Sequence, residues 1–334
     1  MRLLIVLLTV LLLSTACTKR IDTSDITGEY LGQTPPGDDP KLFAPGIISN
    51  GMRNRDMAIT PDGNEIYTAM AVGGFTYSKI IYYKQVDGRW IGPELVLFSS
   101  PLTYKDIEPF ISYDGTKFFF VSSRPDSANG KTDDNFDIWV SERNDDSWSE
   151  PYRLGATVNS PTNEYFPSVT KDGTIYFTRG NTDTPDEFIY RCKYVDGKYQ
   201  EAERLPANVN CGQARYNAMI SYDEDYIIVP AWGMPDGYGG TDYYIVFRND
   251  NDEWSNPINM GEKVNTASTQ EWSTYVTRDG KYFFFMSQRL GNADDYEPLN
   301  YNKFMKLYNS PENGEADIYW GKADLIMKLK PDNF

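Results

Sequence analysis

The stretch Trp148-Ser149-Glu150-Pro151-Tyr152-Arg153-Leu154-Gly155-Ala156-Thr157-Val158-Asn159 returns along the chain. It comes back as Trp254-Ser255-Asn256-Pro257-Ile258-Asn259-Met260-Gly261-Glu262-Lys263-Val264-Asn265. A weaker copy runs from Tyr199 to Val209-Asn210, and a fourth opens at Trp90-Ile91-Gly92-Pro93. Recurrence of this kind marks stacked supersecondary units, none of which can bury its apolar face alone.

A second marker gives the period. Asp62-Gly63, Asp114-Gly115, Asp172-Gly173, Asp223-Glu224 and Asp279-Gly280 each separate two strand-like runs, at spacings of 51 to 58 residues. Asp-Gly between alternating apolar runs signals a hairpin. Four-stranded blades repeat at about 40 to 50 residues, so these are blades with loop insertions. In the second unit the expected strands are 108–112, 117–122, 136–142 and 151–154, rich in aromatic and β-branched residues that suit a pleated surface. A helical period shows only in the leader and at 304–308. The fifth unit (271–277, 282–287, 316–322) lacks its outer strand, while residues 40–48 align with 151–159 without a gap. The expected fold is therefore all-β, a five-bladed β-propeller of four-stranded antiparallel blades, closed by N-terminal strand 41–48 joining the C-terminal blade. Closure removes two free sheet edges.

Asp106-Ile107-Glu108-Pro109-Phe110-Ile111-Ser112-Tyr113-Asp114-Gly115, then Phe120-Val121-Ser122-Ser123-Arg124, then Asp137-Ile138-Trp139-Val140, resembles the WD40-like repeat of the TolB-type propeller. The last unit is similar, with Asp279-Gly280, Gln288-Arg289 and Asp317-Ile318-Tyr319. Unit four departs, with no Arg after Val229. The resemblance covers roughly 40–330 and implies the fold; propellers host many activities, so it does not fix the function.

Met1 and Arg2, the apolar run 3–13 and Ser14-Thr15-Ala16 before Cys17 read as a signal peptide too short to span a bilayer. They resemble a bacterial lipobox, which implies a lipidated Cys17. Thr18 after it resembles outer-membrane lipoproteins. The expected organisation is a signal peptide over 1–16, lipidated Cys17 and a flexible tether over 17–39, and one propeller over 40–334, lipid-anchored in the cell envelope and facing the periplasm or the cell surface. Net charge is −16, and −17 once Arg2 leaves with residues 1–16. That balance argues against nucleic acid. With Cys17 lipidated, Cys192 and Cys211 remain as a candidate disulfide in an oxidising compartment. The chain has no histidine, which excludes a Ser-His-Asp triad and His-based zinc sites.

Short first and third turns share one face, and the long loops share the other, which is the expected binding face. Eight residues before each first turn stand Asn54, Asp106, Glu164, Arg215 and Glu271; six before stand Asp56, Glu108, Phe166, Asn217 and Ser273. Either set is a candidate lining for the channel mouth. Arg124 with Asp137, and Arg289 with Asp317, read as pairs within a blade. Trp232 and Tyr238, in a Gly-rich loop, are candidate stacking residues, and the 290–314 insertion is expected to cap one side of the mouth. The first functional reading is a monomeric, non-enzymatic scaffold binding an envelope protein or peptide. The alternative is a carbohydrate-active enzyme or glycan-binding protein using Asp56, Asp106, Glu164 and Glu271, since glycosidases need two carboxylates about 5 to 9.5 Å apart. No cofactor is expected, beyond a weaker option of calcium in the acidic loops, where no EF-hand spacing occurs.

Overall fold

The structure, a computed structural model, describes residues 23–99, 101–125, 135–180, 187–267 and 270–334. The leader and Cys17 lie outside the described residues. Each repeat is an antiparallel sheet, and five of them make a five-bladed propeller. Blade 1 is Arg53–Ile59, Glu65–Val72, Tyr77–Val86 and Arg89–Leu95. Blade 2 is Asp106–Ile111, Lys117–Ser122, Asp137–Asn144 and Tyr152–Arg153; blade 3 is Asn163–Val169, Ile175–Gly180, Phe188–Cys192 and Glu203–Arg204. Blade 4 has a split inner strand, Ala214–Arg215 and Met219–Ile220, then Tyr226–Trp232, Thr241–Phe247 and Ile258–Asn259. Blade 5 is Thr274–Val276, Tyr282–Ser287 and Asp317–Lys322, with Lys41–Leu42 as its outermost strand.

That outermost strand closes the toroid. Lys41 pairs with Trp320 and Leu42 with Tyr319, and Phe43 N–H donates to Ile318 O at 2.8 Å. The strand is shorter than 41–48 because the chain turns at Ala44. Five apolar clusters fill the five junctions between neighbouring blades. The one between blades 5 and 1 is as full as the rest, with Phe43, Phe284, Trp320, Ile66 and Tyr83.

The recurring Val-Asn has a mechanical reason. Asn159 accepts from Ile138 N–H (2.8 Å) and donates to Ile138 O (3.0 Å) and Leu154 O (2.9 Å). It thereby ties the inter-blade connection to the third strand. Asn210 does the same at Ile189 and Leu205, and Asn265 brackets Tyr243. At the seam Ser49 stands in, its hydroxyl bridging Ile318 N–H and O at 3.1 Å each.

The flexible tether expected over 17–39 is corrected for residues 23–39, which pack on the propeller. Leu31 is buried in the seam cluster. Tyr30 meets Tyr282 edge-on at 5.1 Å. Trp90 Nε1–H donates to Gly28 O at 2.7 Å, and Thr23 Oγ1 donates to Gly92 O at 3.0 Å. The segment behaves as a strap over blades 1 and 5 because its few apolar residues fall on the one junction that the chain closes last.

The candidate disulfide is also corrected: Cys192 and Cys211 are both buried free thiols. Asn210, beside Cys211, binds Ile189, three residues along the strand from Cys192. At about 3.3 Å per residue the two cysteines stand roughly 10 Å apart, beyond the ~7 Å reach of a disulfide. Among the described residues no helix is long and apolar enough to cross a membrane.

Candidate functional site

Every inner strand from blade 1 to blade 3 carries a bulge near its middle, where the register shifts between Arg55 and Ala58, Ile107 and Phe110, and Tyr165 and Ser168. The bulged residues Asp56 (φ 61°), Glu108 (57°), Phe166 (49°) and, in blade 4, Asn217 (51°) are left-handed without being glycine. Such residues cost of order 1–3 kcal/mol each unless the surroundings hold them. Here each bulge is stitched to the next blade. Asp56 Oδ2 accepts Glu108 N–H at 3.1 Å, and Glu108 Oε2 accepts Phe166 N–H at 2.7 Å. Phe166 has no acceptor to offer, and Thr178 Oγ1 takes the Asn217 N–H at 2.9 Å instead. Ser273 of blade 5 donates to Asp56 Oδ1.

The bulge also separates the two sets that sequence spacing treats alike. The residues eight before the turn point into the blades. Asp106 is sealed by Ser122, Ser99, Arg124 (2.8 Å) and Lys79 (3.2 Å). Glu164 is sealed by Ser160 and Arg179 (2.8 Å), and Glu271 by Thr266 and Ser287. All three are 0% exposed. Burial pushes Glu164 up, and Glu271 up to about 8. Arg215 spends its guanidinium on the carbonyls of Cys211, Gly212 and Glu187. These positions are scaffold. The expected pairs Arg124–Asp137 and Arg289–Asp317 are corrected accordingly. Arg124 and Arg179 serve the inner-strand acid of their own blade while reaching a carbonyl of the preceding connection, Phe98 O and Val158 O. Arg289 does likewise with Glu271 (4.0 Å) and Val264 O. Asp137 is instead held bidentate by Arg153, and Asp317 accepts Glu312 N–H.

The channel mouth is lined by the residues in between, which spacing passed over. Seven before the turn stand Arg55, Ile107, Tyr165, Tyr216 and Trp272, and all five line a cup of about 470 Å³ on the long-loop face. Phe75, Phe136, Ser78, Lys105, Glu108, Glu187 and Asn217 complete it. Its floor is fixed. Arg55 Nε lies 3.0 Å from Asp56 and its Nη2 2.6 Å from Glu108 Oε1, which also accepts from Asn217 Nδ2 at 3.3 Å. The guanidinium stacks 5.5 Å from the Phe75 ring and 5.8 Å from Trp272. Burial raises the Glu108 carboxyl, the Asp56 charge adds to that, and Arg55 opposes it.

Trp232 and Tyr238 do not reach the cup. Their loop is tied down by Asp242, which accepts Tyr238 N–H at 2.7 Å, and by Asn259 of the outer strand, which donates to Asp236 O. Both aromatics stand about half exposed (47% and 49%). The 290–314 insertion forms the expected helix, Tyr301–Tyr308, N-capped by Asn300. It packs beside Gly51 and Arg53 through Asn313 and Glu315, and none of its residues lines the cup, a correction to its expected capping role. Of the acids proposed for hydrolysis, Asp106, Glu164 and Glu271 are walled in, and Asp56 is bound to Arg55, Ser273 and the Glu108 N–H. Among the described residues no group of three or more Cys, Asp or Glu side chains is placed to hold a metal ion.

No family model matches the chain, and no curated protein matches it. Its structural neighbours include TolB-type propellers. TolB from Acinetobacter baumannii is 18% identical over 80% of this chain, with a TM-score of 0.45; the chain spans about half (54%) of that protein. An N-acetylgalactosamine deacetylase from F. plautii, solved with blood group B trisaccharide, is 13% identical over 90% of this chain and 98% of its own, with a TM-score of 0.50. The arabinanase Arb43A from Bacillus subtilis is 14% identical over 86% of this chain and 96% of its own, with a TM-score of 0.46. At such identities the likeness is one of fold.

Proposed function

We propose that the chain is a lipid-anchored, extracytoplasmic lipoprotein whose propeller is a non-enzymatic binding module, taking a peptide segment of an envelope protein at the channel mouth. The observation that carries this reading is the cup itself: aromatic walls around a floor locked by Arg55, Asp56 and Glu108. Pre-formed concave sites of a few hundred Å³ with few polar groups are the usual shape of ligand pockets. The floor carboxylates Asp56 and Glu108 are committed to main-chain N–H groups and to Arg55, which suits a rigid receptor better than acid–base work.

The anchor is Cys17, and only five residues separate it from Thr23, which is held against Gly92. Fully extended, that span reaches about 20 Å. The strap leaves the body at the outer edge of blade 1, so the propeller rides close to the outer membrane and the long-loop mouth is free to meet a partner.

A photo-crosslinking residue at Phe136 tests the site in cells. A discrete protein adduct, lost when Trp272→Ala is added and absent from a probe at Tyr152, supports the reading. Turnover of plant or host glycans by the purified domain, without a protein adduct, would replace it with the carbohydrate alternative. Release of Cys17→Ser from the membrane fraction checks the anchor.

A further inference from the structure

We propose that the cup recognises an organic cation, the basic side chain of the bound segment, with Glu187 as its counter-ion. This rests on the mouth being the binding site and adds the chemistry of what enters it.

Among the described residues, every other carboxylate near the mouth is engaged. Asp56 and Glu108 share Arg55, and Asp106, Glu164 and Glu271 are bonded inside their blades. Glu187 lines the cup, half-buried, with no ion pair or side-chain hydrogen bond among the described residues. A second polar group is unspent. Ser78 Oγ lines the same cup, 1% exposed, with no hydrogen-bond partner among the described residues. Buried polar atoms without partners are uncommon in folded proteins and mark places where a ligand or water completes the bonding.

The walls are of the right kind. An ammonium or guanidinium group over an aromatic face within about 6 Å is held by the ring quadrupole, more strongly when water is excluded. The cup already does this with its own cations: Arg55 over Phe75 and Trp272, and Lys105 over Phe136 at 5.8 Å. Tyr165 of blade 3, the blade of Glu187, and Tyr216 at the inner strand of blade 4 add two more aromatic faces to the cup. An incoming lysine or arginine side chain fits between them, its charge at Glu187, leaving Ser78 for the polar backbone of the segment.

A proton competes for the same place. Burial pushes the Glu187 carboxyl up to about 7, with Arg215 pulling the other way. Among the described residues, the other charged groups of the cup are Lys105, Arg55 and Glu108. Below pH 7 the carboxyl fills with a proton and loses its attraction for the ligand. Affinity for a cation therefore rises with pH and is roughly tenfold weaker one unit below that midpoint.

Calorimetric titration of the mature domain tests this with three probes: n-butylammonium, a capped lysine peptide and the same peptide with glutamine. The expected result at pH 8 is at least tenfold tighter binding of the lysine peptide than of its glutamine counterpart. That difference should disappear in Glu187→Gln and shrink at pH 6, while Tyr216→Leu weakens both charged probes and leaves the fold, read by circular dichroism, unchanged. Equal affinity for the two peptides overturns the cation and leaves the peptide reading standing. Binding of butylammonium with neither peptide overturns the peptide reading and leaves the cation. An undiminished preference in Glu187→Gln overturns the counter-ion assignment.

Discussion

The asparagine clamps offer a sharp test of the repeat, because the same substitution orphans different numbers of groups in different blades. In Asn159→Ala, Ile138 N–H and Leu154 O lose the Asn159 side chain as partner, whereas Ile138 O keeps Leu154 N–H at 3.1 Å. Asn210→Ala is equivalent: Ile189 N–H and Leu205 O are orphaned, and Ile189 O keeps Leu205 N–H. Asn265→Ala orphans only Tyr243 N–H. Its other donations go to Tyr243 O, which keeps Met260 N–H, and to Asn259 Oδ1, which keeps Gly261 N–H. Ser49→Ala likewise orphans only Ile318 N–H, since Ile318 O keeps Phe43 N–H.

A buried group left unsatisfied costs about 2 kcal/mol. The expected losses are about 4 kcal/mol for Asn159→Ala and Asn210→Ala, and about 2 kcal/mol for Asn265→Ala and Ser49→Ala. For about 300 residues, an unfolding entropy of about 2.1 cal/mol/K per residue makes 1 kcal/mol worth about 1.6 °C. The two tiers then fall about 6 °C and about 3 °C below wild type. Urea unfolding at fixed pH measures the free energies directly, provided the slope with denaturant is unchanged. Equal losses at all four positions, or a larger loss at Ser49 than at Asn159, would refute the idea that these side chains act by satisfying main-chain groups.

Leu31 is wholly buried in the seam, so Leu31→Ala should destabilise by about 3 kcal/mol; a change under about 0.5 kcal/mol would make the strap dispensable. Burial pushes the Cys192 thiol up to about 12 and Cys211 up to about 11, so neither should react with Ellman's reagent at pH 8 until urea unfolds the chain, and both should then titrate without reductant. A mass 2 Da lower without reductant would contradict the free thiols. Burial also raises Glu271 to about 8 and Asp317 to about 7. The folded state keeps protons that the unfolded chain releases above the ordinary carboxyl range. Stability present at acid pH is therefore lost as pH rises through 7 to 8. The urea midpoint should drop between pH 5.5 and 8.5, and Glu271→Gln should flatten that drop.

Much of the scaffold is legible because it repeats. The Trp-x-x-Pro and Val-Asn phrases mark the outer strand and the clamp, and the alignment of 40–48 with 151–159 locates the seam, although it sets Ile48 against Asn159 and the clamp passes to the next residue, Ser49. The strap is not legible, because residues 23–39 have the polar, Gly- and Pro-containing composition of a linker. Only Tyr30 and Leu31 reveal themselves, and only once the seam they cover exists. The Cys192–Cys211 separation fails for a related reason: parity in cysteine number carries no information about which end of a strand each thiol occupies.

The central row of the mouth was missed by one residue, for a physical reason, although Glu108 and Asn217 of the row six before the turn do line the cup. Counting in twos assumes an unbroken pleat, and a bulge inserts one residue and reverses inside and outside beyond it. Nothing in the composition marks these bulges, since Asp56, Glu108, Phe166 and Asn217 occupy left-handed backbone where glycine is the usual occupant. Once the bulge is allowed for, the two rows behave differently. The row eight before the turn repeats its chemistry, with acids in blades 2, 3 and 5 each tied to an Arg and a small hydroxyl. The row seven before it does not repeat in that way: Arg55 is a cation, Ile107 is aliphatic, and Tyr165, Tyr216 and Trp272 are aromatic. In a repeat protein, positions that recur serve what every repeat must do, which is to pack against its neighbours. A row that passes from a cation through an aliphatic residue to three aromatics is not set by that common need, and here it surrounds the largely aromatic cup. That loss of symmetry at the mouth, rather than the acids common to the blades, is the ground for proposing it as the binding surface.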